Sequence, residues 1–513
     1  MKKMEKSFRF LLLGASSAAV LLPTQSCTEK NRTASPNIIY IMADDLGYGE
    51  LGCYGQTKIE TPNLDQLAAQ GMKFTQFYTG APVCAPSRCI LMTGIHSGKA
   101  QIRGNDEWPE RGDVRNYRAM IADSTLEGQK PMKAGTPTIA SVLKSAGYTT
   151  GVVGKWGLGA PHTESVPNKL GFDFFYGYNC QRMAHTYYPV HLWKNDHRVA
   201  LANDTLDPHR APFPEGADPR DPASYAMYEL QEYSPDVMFD EITNFVDENS
   251  DKPFFLYWAT PIPHLPLQAP KEWIDYYVKK FGDEDPTNQF NYFPQRYPNA
   301  TYAAMVSYLD DQIGKLVKQL KELGIYENTL IMFTSDNGPI VSTEYFQSGG
   351  PFPAGRAYGK GNVNEAGIRV PLIASWPAVI KPGTVSDHIA AAYDVMPTLA
   401  EITGAEVPAE ATGLSFLPTL KGKKQKAHEY LYWEFPESGG QMALRMNNFK
   451  AMRKDMHNGN LTWKLFDLDK DPAEANDISA EHPDIITKVE EIVKKEHTVS
   501  DNARWQYAAL GEK

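Results

Sequence analysis

The feature that most narrows the fold is a set of apolar runs that do not alternate with polar residues. Residues 37–43 (N-I-I-Y-I-M-A), 253–259 (P-F-F-L-Y-W-A) and 329–334 (T-L-I-M-F-T) each have the length of a strand. A strand without alternation must be covered on both faces. Helical segments lie between the runs. Thr61-Pro62-Asn63 opens a short helix stopped by Gly71, residues 137–146 form another with Thr136 as cap, and 302–323 carries Met305, Leu309, Ile313, Leu316 and Leu320 on one face. This is the pattern of an α/β sheet, whose ligand sites collect at the carboxyl ends of the strands.

Those ends are where the polar residues stand. Residues 37–43 run into Asp44-Asp45-Leu46-Gly47, which is in the right place for a metal site, a solvated turn being the alternative. The strand at 148–153 ends in G-K-W-G-L-G, containing Lys155 and Gly157. Residues 253–259 lead to P-I-P-H-L-P, where His264 is held stiffly between prolines. The run 329–334 ends in Ser335-Asp336-Asn337-Gly338.

Residues 81–94, A-P-V-C-A-P-S-R-C-I-L-M-T-G, contain C-x-P-S-R at Cys84, Pro86, Ser87 and Arg88. Such a match arises by accident in about one chain of this length in a few hundred. A helix beginning at 89–93 would aim its N-terminal amides at Cys84. The plain alternative is a Cys84–Cys89 disulfide, or two ordinary buried thiols.

The motif resembles the signature of the type I sulfatases, within the alkaline-phosphatase-like superfamily. The resemblance implies a large mixed, mostly parallel sheet sandwiched by helices, with a smaller C-terminal subdomain of antiparallel sheet plus helix. It places the catalytic domain at 36–420 and the subdomain at 428–513, on either side of the basic run K-G-K-K-Q-K at 421–426. It further implies that a formylglycine-generating maturase oxidises Cys84, that the hydrated aldehyde is the nucleophile, and that Arg88 binds its hydroxyls. Lys155, and Lys360 in K-G-N-V-N-E-A-G-I-R-V-P, would bind sulfate, and His264 would be the general acid. Asp44, Asp45, Asp336, Asn337 and the modified Cys84 would hold a metal. The four acidic and amide side chains offer only oxygen, so Ca2+ is expected first and Mg2+ second. One position departs from the family's G-K-W-H-L-G: Gly157 stands where the His should be, leaving open which group serves the second half-reaction.

The substrate is read from neighbouring loops. H-S-G-K-A-Q-I-R-G-N-D-E-W presents Arg103, Asn105 and Asp106 as partners for sugar hydroxyls, and the aromatic stretch 171–196 adds His185 and Trp193. His185 either replaces the missing His, binds sugar, or is a hydrogen-bonded member of a packed aromatic loop. Residues 208–233, rich in Pro and acidic residues, read as a surface excursion. The pattern Q-x-x-A-H-T-Y-Y-P-x-H-L-W resembles the carbohydrate sulfatases of glycan-degrading bacteria, in the branch acting on galactose or N-acetylgalactosamine O-sulfates. Two other readings stand beside it. One is a phosphodiesterase or phosphonate monoester hydrolase of the same superfamily; the other, prompted by Gly157, is a silent protein that binds sulfated glycans.

Lys2, Lys3, Lys6 and Arg9 precede an apolar run at 10–22 too short to span a bilayer, as in an export signal. T-Q-S-C, ending at Cys27, resembles a relaxed lipobox. Residues 1–27 are thus expected to be a signal peptide with a lipid anchor at Cys27 and delivery to the periplasm or cell envelope; cleavage near Ser26 is the alternative. The chain has five cysteines. With Cys27 and Cys84 set aside, Cys53, Cys89 and Cys180 are an odd remainder, so at least one thiol stays free. A net charge of -11 argues against a nucleic-acid partner.

Overall fold

The strand Asn37–Ala43 is buried along its length because it lies in the middle of a sheet with apolar clusters on both faces. Ile39, Ile41 and Ala43 pack into one cluster, and Ile38, Tyr40 and Met42 into the other. Residues 254–259 and 330–333 divide between the same two clusters in the same alternating way. This is the two-sided burial that the unbroken apolar runs require.

The computed structural model describes residues 35–287, 292–340, 343–353 and 355–512. The expected signal peptide and the Cys27 anchor lie outside them. In chain order the large sheet contains β1 (Asn37–Ala43), β2 (Met72–Tyr78), β3 (Thr149–Lys155), β4 (Phe174–Tyr178), β5 (His191–Lys194), β6 (His197–Ala200), β7 (Phe254–Ala259), β8 (Thr329–Ser335), β9 (Arg369–Ser375), β10 (Thr384–Ser386) and β11 (Ala390–Ala391). Their spatial order is β10-β2-β9-β8-β1-β7-β3-β4-β5-β6, with β11 also on β2. β8, β1, β7, β3 and β4 form a continuous parallel centre, while β9 and β5 run antiparallel to their neighbours. The sheet is therefore mixed and mostly parallel, as expected.

Element boundaries moved where local hydrogen bonding decided them. The helix after Gly135 is Ile139–Ser145, and its cap is Thr138 rather than Thr136. Ser141 N–H donates to the Thr138 hydroxyl and Thr138 N–H to the Ser141 hydroxyl, a reciprocal capping box. The long helix is Pro298–Glu322, beginning earlier than its apolar stripe because a proline serves well in the first turn. The aromatic stretch 171–196 is not all loop, since it supplies β4 and β5.

A second sheet holds β12 (Leu431–Phe435), β13 (Gln441–Met446), β14 (Phe449–Arg453) and β15 (Lys464–Asp467), all antiparallel. Residues 441–453 make a hairpin, turning at Asn447 with φ 52°. The helix Pro483–Glu496 lays Val489, Ile492 and Val493 against Leu444, Ala451 and Leu465. Residues Pro36–Lys513 form one compact unit. Its two sheets are joined by buried polar contacts: Trp433 Nε1 donates to Thr79 O at 2.9 Å, and Lys450 Nζ lies 2.9 Å from Glu365 and 2.7 Å from Glu474.

Candidate active site

Four neighbouring strands deliver their polar ends to one edge. β8 leads to Asp336 and Asn337, β1 to Asp44 and Asp45, β7 to the loop bearing His264, and β3 ends in Lys155. The antiparallel β9 starts at the same edge, which brings Lys360 in from the loop before it.

Cys84 comes from the segment after β2. The helix there is Cys84–Thr93, five residues earlier than expected at its start, because Pro86 falls in the first turn, where its missing N–H costs nothing. Ala85 N–H, one of the first-turn donors, is satisfied by Asn105 Oδ1 at 2.9 Å. Every residue of this helix is buried, and Cys84 and Cys89 are both free thiols rather than a disulfide pair.

The Cys84 thiol donates to Asp44 Oδ1 and accepts from Lys360 Nζ, both at 3.3 Å. Lys155 Nζ donates to Asp44 Oδ2 at 2.6 Å, and Lys360 Nζ to Asp45 at 2.7 Å. Arg88 holds Asp336 Oδ2 through Nη2 at 2.8 Å and Nε at 3.1 Å, and gives Nη1 to Lys155 O at 2.9 Å. Asp45 sits at φ 70°, a left-handed conformation that short acidic side chains tolerate better than most. Burial alone would raise Asp44, but Lys155 first, then His264 and Arg88, hold it well below the usual carboxylate range. Asp336 is pushed up by burial and by facing Asp44. Burial, with Asp44 second, pushes the Cys84 thiol up.

His264 gives Nδ1–H to Leu265 O at 2.6 Å, which leaves Nε2 facing Asp45 Oδ2 at 3.6 Å. Burial and then Lys360 lower it to about 4, so the resting imidazole is neutral near pH 7.

Three of the expected metal ligands, Asp44, Asp45 and Cys84, fall into one cluster with His264. Asp44, Asp45, Cys84 and His264 can bring ligand atoms within 4.8 Å of one another. Asn337 donates Nδ2 to Asp45 Oδ1 at 2.7 Å, while its Oδ1 is buried without a hydrogen-bond partner. An orphaned amide oxygen on a side chain bonded to Asp45 is the kind of donor a hard divalent ion takes.

The expected sugar-binding residues divide. Asn105 is beside the nucleophile as the helix partner just described. Arg103 does not face the site: it is 3% exposed and donates to Ala100 O, Gly98 O and Thr498, with Glu434 at 3.3 Å. Asp106 is taken up by Asn502 and Arg504, each at 3.0 Å. Trp193 gives its indole N–H to buried Glu127 at 2.8 Å, which also binds His191 and Arg198. Tertiary partners, several of them remote in sequence, claimed all three side chains. His185 does lie at the site, its ring stacked on His264 at 5.2 Å and 8°. Residues 208–233 are more than a surface excursion, since His209 reaches back to within 2.8 Å of His185.

Sequence reasoning missed Glu50 and gave Gln181 no role. Glu50 is fully buried, accepts from Gly47 N–H and Tyr302 OH, and buttresses the Asp44-Asp45 turn; burial pushes it up to about 7. No local pattern marks Glu50; Gln181 opens the Q-x-x-A-H-T-Y-Y-P-x-H-L-W stretch, but nothing in that stretch separates it from His185 as a candidate.

The edge thus gathers three buried cations, their three carboxylate partners and the Cys84 thiol into one cluster. A family model described as Sulfatase matches residues 36–405, and one described as N-sulphoglucosamine sulphohydrolase, C-terminal, matches 355–499. The chain belongs to the sulfatase family and is a sulfuric ester hydrolase. Arylsulfatase A of Homo sapiens is 33% identical over 435 residues, 81% of this chain and 74% of that protein. The N-acetylgalactosamine-6-O-sulfatase of Bacteroides thetaiotaomicron is 28% identical, covering 90% of this chain and 93% of that one. The crystal structure of Ps i-CgsB in complex with k-i-k-neocarrahexaose aligns with TM-score 0.70 and 29% identity, over 90% and 93% of the two chains.

Proposed function

We propose that this protein is an exported sulfatase that removes O-sulfate from glycans, with galactose or N-acetylgalactosamine O-sulfates the favoured substrates. The observation that carries the chemistry is the convergence of Lys155, Lys360 and Arg88 around Cys84 at the start of a buried helix. Three cations and the helix amides offset the charge that keeps nucleophiles away from a sulfate ester. The substrate class draws on the names of the relatives.

Oxidation of Cys84 to formylglycine by a maturase would supply a hydrated aldehyde as nucleophile. A divalent cation, calcium by preference, would be held by Asp44, Asp45, Asp336 and Asn337 and would polarise the reacting oxygens. The chain's own residues do the rest. Arg88 orients the nucleophile end, Lys155 and Lys360 turn from Asp44 and Asp45 to the sulfo oxygens, and His264 Nε2 carries the proton to the departing sugar oxygen. His185 and Asn105 line the sugar side. Cys27, if lipidated after export, would hold the enzyme at the cell envelope.

The test is sulfate release by maturase-treated protein from sulfated galactose and N-acetylgalactosamine, run beside an aryl sulfate and the matching aryl phosphate ester. Faster turnover of the sulfates is expected. Preference for the phosphate ester would favour the phosphonate monoester hydrolase reading, and glycan binding without release the silent-binder reading.

A further inference from the structure

Gly157 stands on the segment leaving β3, two residues past Lys155, at φ 69°. A Cβ there would come within 2.6 Å of Gln181 Cγ and 3.0 Å of Gln181 Nε2. The space that a side chain at 157 would enter is filled by Gln181 from the neighbouring segment that follows β4.

Its position is firmly set. Gln181 N–H donates to Gln129 Oε1 at 3.1 Å, and Gly157 N–H donates to Asn179 O at 3.2 Å, tying the two segments together. Gln181 is 5% exposed, yet its Nε2 has no hydrogen-bond partner. A buried donor with no protein partner is a standing cost unless a ligand or an ordered water supplies the partner. The surroundings say which ligand. Lys155, two residues before Gly157, ends on Asp44, and His185, four residues after Gln181, stacks on His264. Gln181 thus lies beside Gly157, close along the chain to two segments that reach the site.

We propose that Gln181 is a catalytic residue whose Nε2–H donates to an oxygen of the transferring sulfo group. An amide neither takes nor gives a proton near neutral pH, so this donor stabilises developing charge without titrating. The inference rests on the sulfatase reading of the site. The competing account is packing alone, with Gln181 merely filling the space above Gly157.

Gln181→Met keeps the length and fill of the side chain and removes the donor; Gln181→Glu keeps its shape and replaces the donor with an acceptor. Both are made with the maturase, supplied with calcium, and assayed on an aryl sulfate. Loss of about 100-fold in kcat is expected for each, the usual scale for one oxyanion donor. The Met variant should melt no lower than wild type, because an unpaired buried amide has been removed, and its pH profile should keep the wild-type limbs. Wild-type kcat in either variant would overturn the proposal in favour of packing. A wild-type protein that releases no sulfate from any ester would instead sink the sulfatase reading of the site, and this inference with it.

Discussion

Cys84 is held where a thiol can do little: buried, beside Asp44, and pushed toward the protonated form. Its surroundings suit an oxygen nucleophile that binds a metal and faces cations. Arg88 is the partner of Asp336 at full burial, so Arg88→Ala should abolish sulfatase activity and cost about 3–5 kcal/mol in urea unfolding, as a buried carboxylate loses its counter-ion. Arg103 makes the contrasting case. Its donors are spent on Gly98, Ala100 and Thr498, so Arg103→Met should lower stability by about 3 kcal/mol and leave KM for a sulfated sugar unchanged. A raised KM with intact stability would restore the sugar-contact role. The C-x-P-S-R, Asp-Asp and Asp-Asn motifs could be picked out because each is contiguous in the chain, while the roles expected of them came from the family resemblance. Arg103, Asp106 and Trp193 were misread because their partners, Thr498, Arg504 and Glu127, are remote in sequence and unmarked by any motif.

The loop that brings Lys360 to the site is fastened by Glu365. This carboxylate accepts from Tyr78 OH at 2.7 Å, pairs with Arg369 at 3.1 Å and meets Lys450 of β14 at 2.9 Å. Burial would raise it, but Lys450, Arg369 and Arg445 outweigh burial and hold it down to about 2, against an ordinary value of 4.5. Folding therefore favours its ionised form. The stabilisation is complete above about pH 4.5 and is lost as pH falls through about 2. In urea unfolding followed against pH, the gap between wild type and Glu365→Gln should close across that window; a gap that stays constant would contradict the assignment. The strands themselves were legible, because an unalternating apolar run admits few other readings. Their helical neighbours were less so: the Thr138 capping box and the early start at Cys84 depend on hydrogen bonds that composition does not show.

At the scale of the whole molecule, the parallel order β8-β1-β7-β3 decides the chemistry by setting Asp336, Asp44, the His264 loop and Lys155 side by side at one edge. Order in the chain gives no hint of that adjacency; it came from the resemblance, not from the run of residues. The cation should be part of the folded structure's stability. Calcium at about one hundred times its Kd should raise stability by about 2.7 kcal/mol, and Asn337→Ala should weaken that response; a melting temperature indifferent to calcium and chelator would contradict the ligand set. The central claim is that Cys84 becomes the nucleophile by oxidation. It is tested most directly by peptide mass measurement on protein co-expressed with a formylglycine-generating maturase. Loss of about 18 Da on the peptide containing Cys84, the step from thiol to aldehyde, is predicted, together with sulfate release. An unmodified Cys84 in a preparation where a control sulfatase matures, or sulfate release without the modification, would contradict the account.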